Sequence, residues 1–140
     1  MKTKTLKTTI CLTLAFCFMV ICSATAVARA KAPSVDNVIS TNSTIIGTCS
    51  ASLTINGSSA TIYAYQRSSS ATNVTIKAYL QKKSGSSYVN VKTWSATQPG
   101  STVSLSKTQA ITSSSSYRLK VVFTATNGSN TESSTLYKYA

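Results

Sequence analysis

Few side chains in this sequence are equipped for acid–base or metal chemistry. Histidine is absent, and the only side-chain carboxylates are Asp36 and Glu132. The usual general base near neutral pH is therefore missing. Glycoside hydrolysis takes two carboxylates across the scissile bond, so the segment around Asp36 would have to fold over the turn beside Glu132. One nominal nucleophile–base spacing exists, Ser104-x-x-Lys107. Enzymes that use it bring the two residues together on a helix, whereas residues three apart on a strand face opposite sides. Such a match is expected by chance in a serine-rich chain. The same holds for four N-x-S/T sequons at Asn42, Asn56, Asn73 and Asn127. Cys49 and the two acids are too few for a closed zinc site. No catalytic residue, metal or cofactor is expected, and the chain reads as no enzyme.

What the sequence does hold is cations and tyrosines on strands that must first be placed. The N-terminus comes off the domain. Lys2, Lys4 and Lys7 precede an apolar run from Ile10 to Cys22, and A-x-A sites follow at Ala24–Ala26, Ala26–Ala28 and Ala28–Ala30. This reads as a secretory signal peptide over residues 1–30, cleaved near Ala30 or Ala28. The run is short for a membrane-spanning helix of about 20 residues. A lipid-anchor reading at Cys22 has the bulky Ile21 where a small residue is needed. Three of the four cysteines (Cys11, Cys17 and Cys22) leave with this segment, so Cys49 has no partner within the chain. It reads as a buried small apolar residue, or as a bridge to a second chain.

The remaining 110 residues (31–140) keep ten Lys and Arg against two acids, for a net charge of 10 − 2 = +8. They hold 24 Ser and 16 Thr, a composition that suits strands and turns and disfavours helix. Residues 31–44 read as a polar lead-in arm, and 45–140 as one domain. Its clearest strand is Tyr117–Ala125: Tyr117, Leu119, Val121, Phe123 and Ala125 share one face, and Arg118, Lys120, Val122 and Thr124 the other. Alternation also places Cys49, Ala51, Leu53 and Ile55 on one side, then Ala60, Ile62 and Ala64 after the turn at Asn56-Gly57. Val74, Ile76, Ala78 and Leu80 face inward from a third strand, and Val103 and Leu105 from a fifth. The fourth, Tyr88–Ala96, is ambiguous. Val89 and Val91 form one inward set, but Trp94 has the opposite parity. Burying Trp94 in strict register draws Lys92 inward, so a bulge between Val91 and Trp94 is expected. A seventh strand, Ser133–Tyr139, sets Thr135, Tyr137 and Tyr139 against Leu136 and Lys138.

Seven short strands with frequent turn signals predict an all-β sandwich. The hairpin connections resemble those of fibronectin type III and related immunoglobulin-like domains. Tyr117-x-Leu119-x-Val121 is similar to the start of strand F in that superfamily. The resemblance implies a tyrosine-corner hydrogen bond from Tyr117, with Leu119 where antibody domains carry a disulfide cysteine. Leu80–Trp94 (LQKKSGSSYVNVKTW), Ser104–Thr108 (SLSKT) and Tyr117–Ala125 (YRLKVVFTA) resemble an uncharacterised family of small secreted Ig-like proteins of Firmicutes. That resemblance implies a bacterial extracellular protein and no established activity.

If the third and sixth strands pair, as in a type III domain, their outward residues adjoin. Lys77 and Tyr79 then meet Arg118, Lys120 and Val122, with Lys92 and Lys138 flanking. Such a patch suits anionic polymers through charge and stacking. The plainer reading is that Lys and Arg keep an exposed sheet soluble and guard its edges. Tyr63 and Tyr65 on the other sheet offer a second aromatic surface. Binding to an anionic cell-envelope polymer such as teichoic acid, to an acidic glycan, or to a host surface is the leading expectation. A bacteriocin-like or otherwise membrane-active cationic effector is the alternative, although residues 31–140 lack a long amphipathic or apolar segment. Electrostatics permits nucleic-acid binding, but export points to other partners.

Overall fold

A computed structural model describes residues 38–40 and 43–140. The apolar run, the A-x-A sites and Asp36 lie outside the described residues. Eight strands follow in order: β1 (Val38–Ser40), β2 (Ile46–Asn56), β3 (Ser59–Ser68), β4 (Asn73–Ser84), β5 (Ser87–Pro99), β6 (Thr102–Ala110), β7 (Tyr117–Asn127) and β8 (Asn130–Tyr139). They form two antiparallel sheets, ordered β1-β2-β3-β6 and β5-β4-β7-β8. Seven strands make the sandwich. The three-residue β1 adds an edge to β2 within the stretch read as an arm.

Alternation is the reason these segments are strands. Tyr117, Leu119, Val121, Phe123 and Ala125 are all buried, and so are Val74, Ile76, Ala78 and Leu80 on β4. β4 and β7 pair directly, with Ile76 opposite Phe123 and Leu80 opposite Leu119. Ala60, Ile62, Ala64, Val103 and Leu105 close the core from the facing sheet. Leu53 and Ile55, at the far end of β2, are only partly buried. Each fully buried Leu, Ile, Val or Phe contributes about 1.5–3 kcal/mol relative to exposure, so this layer dominates folding.

The hairpins β2–β3, β4–β5 and β7–β8 share one device, a two-residue Gly-Ser loop. At Gly85 the backbone has φ +60°, which a side chain would resist. The first of these loops is Gly57-Ser58, because Asn56 is already paired with Ser59.

Two polar contacts tie the sheets together. Gln66, fully buried on β3, donates from Nε2 to the Thr124 carbonyl across the core at 3.2 Å. Glu132 on β8 accepts from Thr44 Oγ1 at 2.8 Å and from the Ile45 N–H at 3.0 Å. The tyrosine corner is present: the Thr112 N–H donates to Tyr117 Oη at 3.0 Å. Cys49 is a free thiol with no exposed surface, and burial pushes its pKa up to about 12. That placement leaves no sulfur surface for a bridge to a second chain.

Candidate basic and aromatic sheet face

β4 and β7 build the centre of the site. Residues opposite one another in an antiparallel pair point to the same side. Lys77 faces Val122, Tyr79 faces Lys120 and Gln81 faces Arg118, so all six project away from the core. Lys120 Nζ lies 5.7 Å from the centroid of the Tyr79 ring. The expected meeting of Lys77, Tyr79, Arg118 and Lys120 on one surface is observed.

The two flanking lysines are elsewhere. Lys92 pairs with Leu80 and Lys138 with Leu119, both fully buried residues. Both lysines therefore point to the core side of the sheet, and Lys92 reaches solvent because it sits on the edge strand. For Lys138 the cause is plain alternation, since it shares parity with the buried Leu136.

β5 also differs from expectation. Its register shifts so that Leu80 faces Lys92 while Gln81 faces Asn90, leaving Val91 as an extra residue. The bulge thus falls at Val91 and does not separate Lys92 from Trp94. Trp94 and Ala96 pack partly buried against the core. Val89 and Val91, read as inward, are 50% and 41% exposed.

The bulge recruits a residue to the site. Residues before Val91 have their sides reversed, so Tyr88 and Asn90 join the outer face beside Lys83 and Gln81. From β8, Tyr137 and Tyr139 join it opposite Lys120 and Arg118. The Arg118 guanidinium carbon lies 3.9 Å from the Tyr88 ring centroid and 4.9 Å from that of Tyr137. Such cation–π contacts gain strength as they are desolvated. Arg118 Nε also donates to Gln81 Oε1 at 2.8 Å, and Gln81 Nε2 donates to Asn90 Oδ1 at 2.7 Å. Tyr88 meets Tyr139 edge to face, with centroids 6.3 Å apart.

The face therefore carries Lys77, Lys83, Arg118 and Lys120 among four tyrosines. Glu132 lies on the other side, opposite the buried Ala125, so no described side-chain carboxylate offsets these cations. Tyr63 and Tyr65 occupy the outer face of the other sheet, each with a serine opposite on both neighbouring strands. Ser104 faces Tyr65 and Lys107 faces Ile62, so the nominal Ser–Lys pair points to opposite sides of β6. Among the described residues, no cluster of three His, Cys, Asp or Glu is placed to hold a metal, and no helix is long and apolar enough to cross a membrane. A hollow of about 370 Å³ at the bulge after Ile46 is lined by Gly47, Thr48, Arg67 and three serines. It is separate from the basic face.

No family model, curated protein or solved structure matches the chain.

Proposed function

We propose that the chain is a non-enzymatic, exported binding module whose outer β5-β4-β7-β8 face associates with an anionic cell-envelope polymer or glycan. The observation behind this reading is four cations on one sheet face, interleaved with tyrosine and with no described side-chain carboxylate among them. Held at strand spacing, they sum their fields over an elongated ligand. The net charge of 10 − 2 = +8 over residues 31–140 adds attraction at longer range. The signal-peptide pattern and the resemblance to small Firmicutes proteins support export.

Retention on purified cell walls, measured against salt, tests this. Binding should fall steadily as ionic strength rises from about 0.01 to 1 M, where the screening length shrinks from about 30 to 3 Å. Replacing Lys77 and Lys120 by Ala should weaken retention clearly more than replacing Lys92 and Lys138, although both pairs remove the same charge. Retention that ignores salt, or equal losses from the two pairs, would defeat the reading.

A further inference from the structure

The tyrosines carry the argument further, resting on the reading of this face as a polymer-binding surface. We infer that the Tyr137–Tyr139 end of the face is a platform for sugar rings, so the polymer is an anionic polysaccharide and not a ring-free polyphosphate.

Arg118 is poorly placed to be a simple anion contact. Its Nε is committed to Gln81, and its guanidinium lies against Tyr88 from one edge strand and Tyr137 from the other. Gln81 is itself held by Asn90. So fixed, Arg118 positions rings that would otherwise swing free. Tyr137, which it touches, and Tyr139, which meets Tyr88 edge to face, are not used up by the fold. Tyr137 is 42% and Tyr139 63% exposed, two residues apart on one strand and hence on one side of it. A pyranose offers an apolar C–H face that covers such a ring and a hydroxyl rim that tolerates water. Lys120 lies directly opposite Tyr137, and exposed Lys77 and Lys83 lie one strand further on, with no described side-chain carboxylate on this face. Rings together with charges match a polymer whose repeating unit carries both. A ring-free polyanion would engage the lysines and leave the tyrosines in water.

The test compares linear polygalacturonate, inorganic polyphosphate and single-stranded DNA, at equal charge concentration and two salt concentrations, using the purified protein. Polygalacturonate should bind about tenfold more tightly than polyphosphate. Tyr137→Ala combined with Tyr139→Ala should remove that advantage without changing the salt dependence or the polyphosphate affinity. Arg118→Ala should remove the same advantage and, because a cation is lost, also weaken polyphosphate binding, whereas Arg118→Lys should keep the polyphosphate affinity without restoring the advantage, because an ammonium cannot stack as a plane. Both tyrosines are exposed, so the double variant remains informative if Arg118→Ala fails to fold. Equal binding of polyphosphate, with no effect of the tyrosine pair, overturns the ring platform and leaves charge-driven binding standing. Tighter binding of DNA than of polygalacturonate overturns the sugar assignment in favour of bases. No binding of any polyanion removes both proposals.

Discussion

Tyr117 and Glu132 each accept hydrogen bonds from backbone N–H groups in a connection or at the start of a strand. Thr112 lies in the connection before β7, and its N–H is satisfied by Tyr117 Oη. Tyr117→Phe keeps the buried ring and strands that donor, so it should cost about 1–2 kcal/mol in chemical denaturation. Glu132 receives Thr44 Oγ1 and the Ile45 and Ile46 N–H groups at the start of β2. The Thr44 hydrogen bond is the largest influence on its carboxyl. Partial desolvation opposes it and the backbone donors assist it, so the pKa sits below the ordinary 4.5. A lowered folded-state pKa stabilises the protein fully above about 4.5, and the stabilisation disappears as pH falls through the folded value. Wild type should therefore exceed Glu132→Gln in melting temperature at pH 7, with the gap narrowing as the pH is taken below 4.5. Alternation in the sequence identifies Tyr117 as inward, and only its resemblance implies the corner bond. The Glu132 contact was not legible, because it joins residues almost ninety positions apart through a backbone that the sequence does not place.

At the level of elements, β5 decides the composition of the candidate site. Lys77, Tyr79, Arg118 and Lys120 were legible because β4 and β7 are regular and their pairing follows from the domain type. Tyr137 and Tyr139 were within reach by the same parity, since both oppose Leu136. That parity also rules Lys138 out of the face. Tyr88 was hidden. Its position relative to Trp94 has the wrong parity for the outer face, and only the extra residue at Val91 corrects it. Trp94 pointed to a bulge, but the edge position of β5 lets Lys92 stay on the core side and still reach water. Deleting Val91 should remove the bulge yet leave Tyr88 opposite Lys83 and Asn90 opposite Gln81, on the same side as Arg118, because Tyr88 and Trp94 then differ by an odd number of residues. Polygalacturonate affinity should therefore be kept in that variant, whereas Tyr88→Ala, which removes the ring itself, should lower it about three- to tenfold. Circular dichroism should remain that of a folded β-protein, because Val91 is not in the core.

Across the whole molecule, the two faces of one sheet depend on the same pairing. The inner layer was readable because hydrophobic alternation persists over β4 and β7 with no interruption. The outer layer was readable only where it shares that regularity. The three Gly-Ser loops close hairpins between neighbours in sequence, and such contacts form early at little entropic cost. β4 and β7 are different. Their paired residues lie between 117 − 82 = 35 and 126 − 73 = 53 positions apart, from Lys82–Tyr117 to Asn73–Thr126. Non-local pairing of this kind places folding in the range of about milliseconds to seconds. Until it forms, Lys77 and Tyr79 have no neighbour in Arg118 or Lys120, and Tyr88 has no guanidinium to stack on. The candidate surface is thus assembled in the same step that closes the core. A newly made chain gains this basic and aromatic face late and all at once, and a partly folded one presents only scattered lysines.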